Sequence, residues 1–175
     1  MSNDELVDVL DTEGRVLGTI PRTQAELDNH ITPNVLVFLF NSAGKVWAQL
    51  RPRSKKHYPG KWDISACGGV VNDETPEEAA QRETVEETGL EVTLHHVESF
   101  LNVFPGDQGE ARKRFSHLYV GLSDKVPQPG EDVEEFKEWC LAELREDINA
   151  RPEAYVPSFL IELEKAVCGF RGLMG

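Results

Sequence analysis

The sequence predicts an α/β or α+β protein built around a mixed β-sheet. Short apolar runs of strand length recur along the chain, and "NVLVFLF" is the clearest of them. A segment with helical signals at both ends, Thr75 to Thr88, lies between such runs. Because strands and helices alternate, we expect them to share one sheet with helices packed on it. With 175 residues and 39% hydrophobic content, the chain is predicted to form one domain over residues 1–175.

The first half of the chain is predicted to consist mainly of short strands. "LVDVLD" and "RVLGTI" flank the turn residues "TEG", and "PRTQAELDNH" follows as a short helical segment. "NVLVFLF" and "KVWAQLR" are separated by "NSAG", which predicts a hairpin. "HYPGKWD" contains Pro-Gly and is predicted to be a loop.

The second half begins with the helix Thr75–Thr88. Thr75 and Glu78 have the spacing of a capping box, Pro76 takes the first helical position, and Gly89 ends the helix. Two strands, "EVTLHHVESFLNVF" and "RFSHLYVGL", flank "PGDQGE", and a polar loop then leads into the short strand "FKEWCL". A last helix, expected to stop at Gly169, is predicted from the helical spacing of Phe159, Leu163, Ala166 and Val167.

The charge and the cysteines limit the classes of partner. The formal net charge is −13, and such a surface repels phosphate backbones, so a general nucleic-acid-binding role is disfavoured. No apolar run approaches the roughly 20 residues needed to cross a bilayer, and "MSNDELVDVLD" lacks the features of a secretory signal. The cysteines are few, widely spaced and odd in number, which is typical of a reducing cytoplasm. We expect Cys140 and Cys168 to be small buried residues of the core.

Three glutamates late in the predicted helix point to a cation. At 100° per residue, Glu83, Glu86 and Glu87 fall within roughly 100° of one another and share a face. Like charges three or four residues apart repel, and the C-terminal end of the helix dipole adds to the cost. A solvated acidic face is the plain interpretation of such a run. A divalent cation bound by clustered carboxylates is the functional one, because the ion relieves the repulsion.

The glutamates belong to a longer pattern. Five residues separate Gly68 from Glu74, and seven separate Glu74 from Arg82-Glu83. Two residues then separate Arg82-Glu83 from Glu86-Glu87, and one residue separates that pair from Gly89-Leu90. This spacing over residues 68–90 resembles the Nudix box, the signature of the Nudix hydrolase family. Thr84 departs from it, since the family usually has an aliphatic residue there. Because Thr84 faces away from the glutamates, we expect a change in packing and none in chemistry.

The resemblance implies a fold and a set of roles. The fold is an α/β/α sandwich around a mixed sheet, and the ion is Mg²⁺ or Mn²⁺, bound by Glu83, Glu86 and Glu87. The Gly68–Gly69 backbone lies beside the ion, and Arg82 and Glu74 brace the loop and the helix. Such an ion neutralises phosphoryl oxygens and lowers the pKa of bound water, and a carboxylate then takes the proton. Glu86 is the first candidate for this base, and the later loop offers Glu131, Glu134 and Glu135, which are also plain solvated charges.

Two basic clusters are candidates for binding phosphate. The segment "RPRSKKHYPGK" is rich in basic residues, although the chain as a whole is acidic. Its candidates for binding phosphate are Arg51, Arg53, Lys55 and Lys61. An exposed strand end is the alternative interpretation. In "ARKRF", Arg112 and Arg114 lie on one face of a strand and Lys113 on the other. Tyr58 and Trp62 could stack on a base, although Trp62 could equally fill the core.

A looser resemblance extends over most of the chain. "LVDVLDTEGRVLGTIPR", "SKKHYPGKWDISACGG" and "FKEWC" are similar, in order, to the isopentenyl-diphosphate isomerase-like branch of the superfamily. In the isomerases, the cysteine at the position of Cys67 takes part in proton transfer to the alkene. The isomerase metal site does not match: Gly69 stands in place of a histidine, Arg112 and Arg114 stand in place of a glutamate pair, and only His30 corresponds to the upstream histidines.

The sequence therefore predicts a Mg²⁺-dependent Nudix hydrolase that cleaves a small nucleoside-diphosphate-type molecule by attack of water on phosphorus. An isomerase acting on isopentenyl diphosphate and a non-catalytic diphosphate-binding module are the alternatives. The resemblance also makes a homodimer an expectation.

Overall fold

The computed structural model of the protein describes residues 5–175. Met1–Asp4 lie outside the described residues. They belong to the predicted domain and to the segment "MSNDELVDVLD", for which no secretory signal is predicted. The strands are β1 Leu6–Leu10, β2 Val16–Pro21, β3 Thr32–Phe40, β4 Val46–Leu50, β5 Trp62–Asp63, β6 Ala66–Gly69, β7 Leu94–Pro105, β8 Ala111–Leu122 and β9 Glu135–Trp139. The helices are α1 Arg22–Leu27, α2 Pro76–Thr88, α3 Leu141–Ala150 and α4 Pro157–Met174, with a 3₁₀ turn at Pro152–Ala154.

Seven of the described strands form one mixed sheet. β5, β4, β3, β8 and β7 are neighbours in that order, β6 pairs with β3, and β9 pairs with β4. β3 and β8 run parallel, and the other pairs of this sheet are antiparallel. β1 and β2 form a separate antiparallel hairpin. The predicted mixed sheet is confirmed, and so are the predicted pairs β1–β2, β3–β4 and β7–β8.

Strand β3 builds the core on both faces of the sheet. Leu36, Phe38 and Phe40 pack in the core that α3 and α4 close. The alternating residues Val35, Val37 and Leu39 pack in the core that α2 closes on the opposite face. Because successive side chains of a strand point to opposite faces, a continuous apolar run such as "NVLVFLF" suits a strand buried on both sides. The predicted α/β/α sandwich is confirmed.

The ends of α2 follow the sequence signals. Thr75 N donates to Glu78 Oε2 at 2.8 Å, and Glu78 N donates to Thr75 Oγ1 at 3.2 Å. Gly89 takes a φ of 70° at the C-terminal end, a conformation that glycine adopts without strain. Thr84 is fully buried and donates from Oγ1 to Ala80 O at 2.7 Å. Thr84 therefore faces the sheet, away from the glutamates, as predicted.

The prediction that Gly169 ends the last helix is wrong, since α4 continues to Met174. A Cβ atom at Gly169 would lie 2.6 Å from a methyl group of Val97 on β7. The glycine therefore permits a close approach between α4 and the sheet, and it does not terminate the helix. Helix α3 was not anticipated.

The prediction of two buried cysteines is also wrong, because Cys140 and Cys168 are both exposed. Cys140 immediately precedes α3, and Cys168 lies on the outer side of α4. The predicted loop "HYPGKWD" includes the two-residue strand β5, whose Trp62 pairs with Leu50 of β4. Within residues 5–175, no helix has the length and apolar character required to span a membrane.

Candidate active site

The glutamates of α2 lie against the backbone of β6. The Glu83 carboxylate is 8% exposed and packs on Gly68, where a Cβ atom would overlap it. Glu86 is exposed and Glu87 is partly buried on the same side of the helix. Any side chain at position 68 therefore displaces Glu83, which explains the glycine.

Arg82 ties the loop before α2 to the helix. Its Nε and Nη2 donate to the Glu74 carboxylate at 2.7 and 3.0 Å, and Nη2 also donates to Gly69 O at 3.1 Å. Its Nη1 donates to Glu83 Oε1 at 2.6 Å and lies 3.6 Å from Glu86 Oε2. Burial opposes ionisation of Glu74, but the hydrogen bonds from Arg82 and from the Val71 N–H outweigh it and lower the pKa of Glu74. These contacts are the brace that the box resemblance implies for Arg82 and Glu74.

Strand β4 holds Glu87 through Gln49, a residue that the sequence prediction missed. Gln49 is 2% exposed, and its Nε2 donates to Glu87 Oε2 and to Ser65 O. Cys67 N donates to Glu87 Oε1 at 3.4 Å. Burial raises the pKa of Glu87 well above its usual range against the opposing hydrogen bond from Gln49, and the charge of Glu83 adds to the rise. A glutamine inside the otherwise apolar strand "VWAQL" is the signal that could have indicated this contact.

The glutamate face fits a divalent cation. Burial raises the pKa of Glu83 too, against the opposing hydrogen bond from Arg82, and the charge of Glu86 adds to the rise. A cation relieves the same repulsion, and the available donors are the oxygens that hard divalent ions prefer. Among residues 5–175, no three His, Cys, Asp or Glu side chains are already gathered as a metal cluster. Arg82 Nη1 contacts both Glu83 and Glu86 instead.

The loop before β9 packs on the C-terminal end of α2. Gln128 N donates to Thr88 O at 2.8 Å, and Gly130 N donates to Glu87 O at 3.1 Å. A Cβ atom at Gly130 would overlap Glu86 O, so only glycine allows this approach. The alternative base candidates follow this contact in the chain and are all exposed: Glu131, Glu134 and Glu135.

A cleft of about 240 Å³ opens beside Gly68 and Gly69. Gly68 lines this cleft and also contacts Glu83, so the cleft and the glutamate face meet at this residue. The cleft includes Tyr58, whose hydroxyl donates to Pro105 O at 2.7 Å. Trp62 packs against the core on the α4 side of the sheet. Of the two aromatic candidates, the structure thus brings Tyr58 to the cleft.

The predicted basic residues divide into two groups. Three of them line the cleft: Arg51, Arg112 and Arg114. The other three are not among its lining residues: Arg53, Lys55 and Lys61. Lys55 instead pairs with Asp132 at 2.6 Å. The structure therefore gathers one arginine of the first cluster and both arginines of the second.

Arg112 and Arg114 form a cationic wall, which we call the arginine wall. Both line the cleft, whereas Lys113 between them is exposed, as the strand alternation predicted. Arg114 Nη1 donates to the backbone oxygen of Lys113 at 2.8 Å. Burial and then the charge of Arg112 lower the pKa of Arg114 to about 10, so the side chain is still charged at neutral pH. A part-buried cation whose hydrogen bond goes to a backbone oxygen is suited to an anionic ligand.

Arg22 of α1 is a further cation of the cleft that the sequence prediction missed. A Cβ atom at Gly69 would lie 2.9 Å from Arg22 Nη2, so Arg22 takes the space that a side chain at position 69 would need. Arg22 also pairs with Glu5 at 2.7 Å. His30 lies in the loop after α1, with Nε2 3.8 Å from Asp28.

Cys67 lies on the floor of the cleft beside two charged groups. Its Sγ lies 3.6 Å from Asp63 Oδ2, and the same oxygen accepts from Arg51 Nη1 at 3.1 Å. Burial, followed by the charge of Asp63, raises the pKa of Cys67 well above its usual range. The thiol therefore stays protonated at neutral pH and has the reactivity of a weak acid, with little thiolate character.

Comparison with known proteins agrees with the motif and the fold. Residues 30–159 match the NUDIX domain family. The isopentenyl-diphosphate Delta-isomerase of Serratia proteamaculans is 31% identical over 160 residues, which are 90% of this chain and 88% of the relative. An uncharacterized Nudix hydrolase of Pseudomonas aeruginosa is 39% identical over 89 residues, which are 51% of this chain and 53% of the relative.

A solved structure is similar over nearly the whole chain. The crystal structure of DR0079 from Deinococcus radiodurans superimposes with a TM-score of 0.75 at 29% identity, covering 91% of this chain and 96% of that one. The family match spans more than two thirds of the chain and includes the complete box with its braced glutamates. The chain belongs to the NUDIX family.

Proposed function

We propose that the protein is a divalent-metal-dependent hydrolase that cleaves the diphosphate bond of a nucleoside-diphosphate-type molecule, with the whole chain acting as one domain in the cytoplasm. One observation carries the proposal: Gly68 packs against Glu83 of α2 and also lines a cleft that Arg112 and Arg114 line. A diphosphate needs a cation on one side and positive side chains on the other, and this cleft offers both. Families of this kind generally depend on a divalent metal.

The residues of the chain divide the chemistry between them. Glu83, Glu86 and Glu87, with the Gly68 backbone, would hold Mg²⁺ or Mn²⁺, which supplies charge neutralisation at the phosphoryl oxygens and acidifies water. Arg82 and Gln49 keep two of these carboxylates oriented through the hydrogen bonds described above. Glu86 is the exposed member of the set and is free to take the proton of the attacking water.

The arginine wall favours a hydrolase over an isomerase. Protonation of an alkene creates a carbocation, and buried guanidinium groups destabilise a positive charge formed beside them. Hydrolysis of a diphosphate builds negative charge on oxygen, which the same groups stabilise. Arg112 and Arg114 therefore support the second reaction and oppose the first.

The second candidate function is isomerisation of isopentenyl diphosphate. Cys67 favours it, because a thiol that stays protonated at the floor of the cleft is a suitable proton donor. The Serratia relative carries the name of that enzyme. The candidate needs a metal site at the other end of the cleft, where this chain has Gly69, Arg22, Arg112 and Arg114.

The test is product release from a panel of diphosphates in the presence of Mg²⁺ or Mn²⁺, with Glu86→Gln as the variant. We expect phosphate and nucleoside monophosphate as products, no turnover in chelator, and at least a hundredfold lower turnover in Glu86→Gln, as for loss of a catalytic acid–base group. Glu91→Gln is the matched control, since Glu91 is exposed just beyond α2 and contributes no contact to the site.

Each alternative has its own outcome in this assay. Conversion of isopentenyl diphosphate to dimethylallyl diphosphate without phosphate release would replace the hydrolase with the isomerase. Nucleotide binding without turnover in either metal would identify a non-catalytic module. Equal turnover in Glu86→Gln and Glu91→Gln would remove Glu86 from the mechanism.

A further inference from the structure

A second depression adjoins the cleft on its outer side. This outer lobe has a volume of about 470 Å³, within the roughly 300–1,000 Å³ typical of small-molecule sites. It shares five lining residues with the cleft: Ala25, Glu26, His57, Arg112 and Arg114. The two depressions are therefore one continuous groove, and the arginine wall stands where they join.

The outer lobe has one large, exposed apolar side chain and a polar rim. Leu27 is 81% exposed, the largest exposed fraction among the large apolar side chains of residues 5–175, and Ala25 lies beside it. Asn29 stands at the rim, held by a hydrogen bond from Nδ2 to Ala111 O at 2.8 Å. Glu26 and Lys56 face each other at 3.6 Å and complete that rim. A ligand that covers Leu27 must also offer hydrogen-bonding groups to the rim.

This combination discriminates between classes of diphosphate. An isoprenoid chain would cover Leu27, but it would also displace water from the polar rim without offering it hydrogen bonds. A sugar would satisfy the rim, although it lacks a flat apolar surface to cover the leucine. A nucleoside has both, because its base is a flat ring system and its ribose carries hydroxyl groups.

We propose that the outer lobe is the subsite for the nucleoside part of the substrate, with the base over Leu27 and the adjoining phosphate bound by Arg112 and Arg114. The scissile diphosphate then extends from the arginine wall toward Gly68 and the glutamates. This assignment rests on the proposed function for its substrate class, and it adds the position of the nucleoside and a specificity determinant, Leu27.

Steady-state kinetics of the Leu27→Ser variant test the contact between the base and Leu27. For a nucleoside diphosphate we expect KM to rise about tenfold with kcat within about twofold, since the lost contact is of the order of one buried aliphatic side chain. Equilibrium binding of inorganic pyrophosphate, which has no organic group, stays unchanged. Leu17→Ser is the matched control, because Leu17 is 69% exposed on β2 and lies outside both lobes.

The arginine wall is tested with Arg114→Met against Lys113→Met. These neighbours lie on opposite faces of β8, so the pair separates the groove from the outer surface. We expect Arg114→Met to weaken binding of both the nucleoside diphosphate and pyrophosphate at least tenfold, and Lys113→Met to leave both unchanged.

Calorimetric binding of adenosine, uridine, cytidine and guanosine diphosphates in chelator separates this inference from the proposed function. If Leu27→Ser weakens binding and no diphosphate is hydrolysed, the result supports the nucleoside subsite and refutes the proposed hydrolase activity. If diphosphates are hydrolysed with the same KM in Leu27→Ser and wild type, the hydrolase stands and the subsite is refuted. Failure of the wild type to bind any of the four refutes the subsite as well.

Discussion

The glutamate face and the arginine wall are two crowded sets of like charge, one on α2 and one in the cleft, and they are held very differently. Every carboxylate that is buried on the glutamate side has protein partners: Arg82 for Glu83, and Gln49 and Cys67 N for Glu87. Arg114 of the arginine wall donates to one backbone oxygen. The buried glutamates are thus held by several contacts of the folded framework, whereas Arg114 is held by one backbone contact.

The difference predicts two kinds of mutational effect. Removing a partner of the glutamates leaves a buried charge uncompensated and costs stability as well as activity. Removing an arginine of the arginine wall weakens ligand binding. Its effect on stability is small, because the folded chain no longer has to desolvate the guanidinium group, and this gain offsets the lost contacts. Variants on the glutamate side are therefore the strongest test of this difference between the two sets of residues.

Arg82→Met is expected to have the largest effect. It removes the hydrogen bonds to Glu74, Glu83 and Gly69 O, and we expect a loss of roughly 3 kcal/mol in the free energy of unfolding, at the low end for a broken buried pair because Arg82 is partly exposed. Urea denaturation with and without Mg²⁺ measures it. Turnover should fall with it at temperatures where the variant is folded.

Arg145→Met is the matched control for that change. Arg145 donates to both oxygens of Glu164 at 2.9 and 3.0 Å, but the two side chains are 40% and 61% exposed. A surface pair of this kind contributes at most about 1 kcal/mol. Equal losses in Arg82→Met and Arg145→Met would mean that the brace is an ordinary surface ion pair, and the comparison would then fail.

Gly68→Ala is expected to have the next largest effect. The new methyl group overlaps the Glu83 carboxylate, which Arg82 holds in place, so Glu83 or the β6 backbone has to shift. Overpacking of this type costs about 1–3 kcal/mol, and we expect turnover to fall more than tenfold because Glu83 leaves the face it shares with Glu86. Thermal unfolding and steady-state kinetics measure the two effects.

Gly18→Ala on β2 controls for the general cost of replacing a glycine. A Cβ atom at Gly18 has no neighbour within 4 Å, so this variant should keep wild-type stability and turnover. If Gly68→Ala behaves in the same way, Glu83 does not need its contact with Gly68, and the glutamate face is less constrained than the structure indicates.

The same two regions show what a sequence can predict. The glutamate face lies within one helix and the loop before it, and helical periodicity fixes the relation between Glu83, Glu86 and Glu87. The capping box and Gly89 fix the ends of that helix. Local rules were therefore sufficient for the helix and its glutamate face, whereas the brace followed only from the resemblance to the Nudix box.

The groove is assembled from distant segments, and local rules fail there. Arg22 lies on α1 and Arg114 on β8, far apart in the chain, yet both line the same cleft. Gln49 reaches Glu87 across a separation of 38 residues. Gly169 has the composition of a helix stop, yet its role is set by Val97 on another element. Strand periodicity did indicate the common face of Arg112 and Arg114, but it could not indicate what that face opposes.

Glu162→Gln is expected to have the smallest effect. It tests a buried acid that lies outside the groove, for comparison with the glutamates of α2. Glu162 of α4 is fully buried, and among residues 5–175 neither of its oxygens has a hydrogen-bond partner. Lys165 Nζ lies 3.6 Å away, and the Glu98 charge acts against ionisation. Burial outweighs Lys165 and raises the pKa of Glu162 above 4.5.

The sign of the pH effect follows from that rise. A carboxyl group with a raised native pKa holds its proton more tightly in the folded chain, so its contribution to stability is complete below 4.5 and is lost as the pH rises through the native value. Glutamine does not ionise, so Glu162→Gln should be more stable than wild type by about 1 kcal/mol at about pH 7.5 and equal to it at about pH 4, with turnover unchanged. Urea denaturation at the two pH values measures this. A difference of the same size at both would show that ionisation of Glu162 costs the fold nothing, and a loss of turnover would place Glu162 in the same functional class as the glutamates of α2.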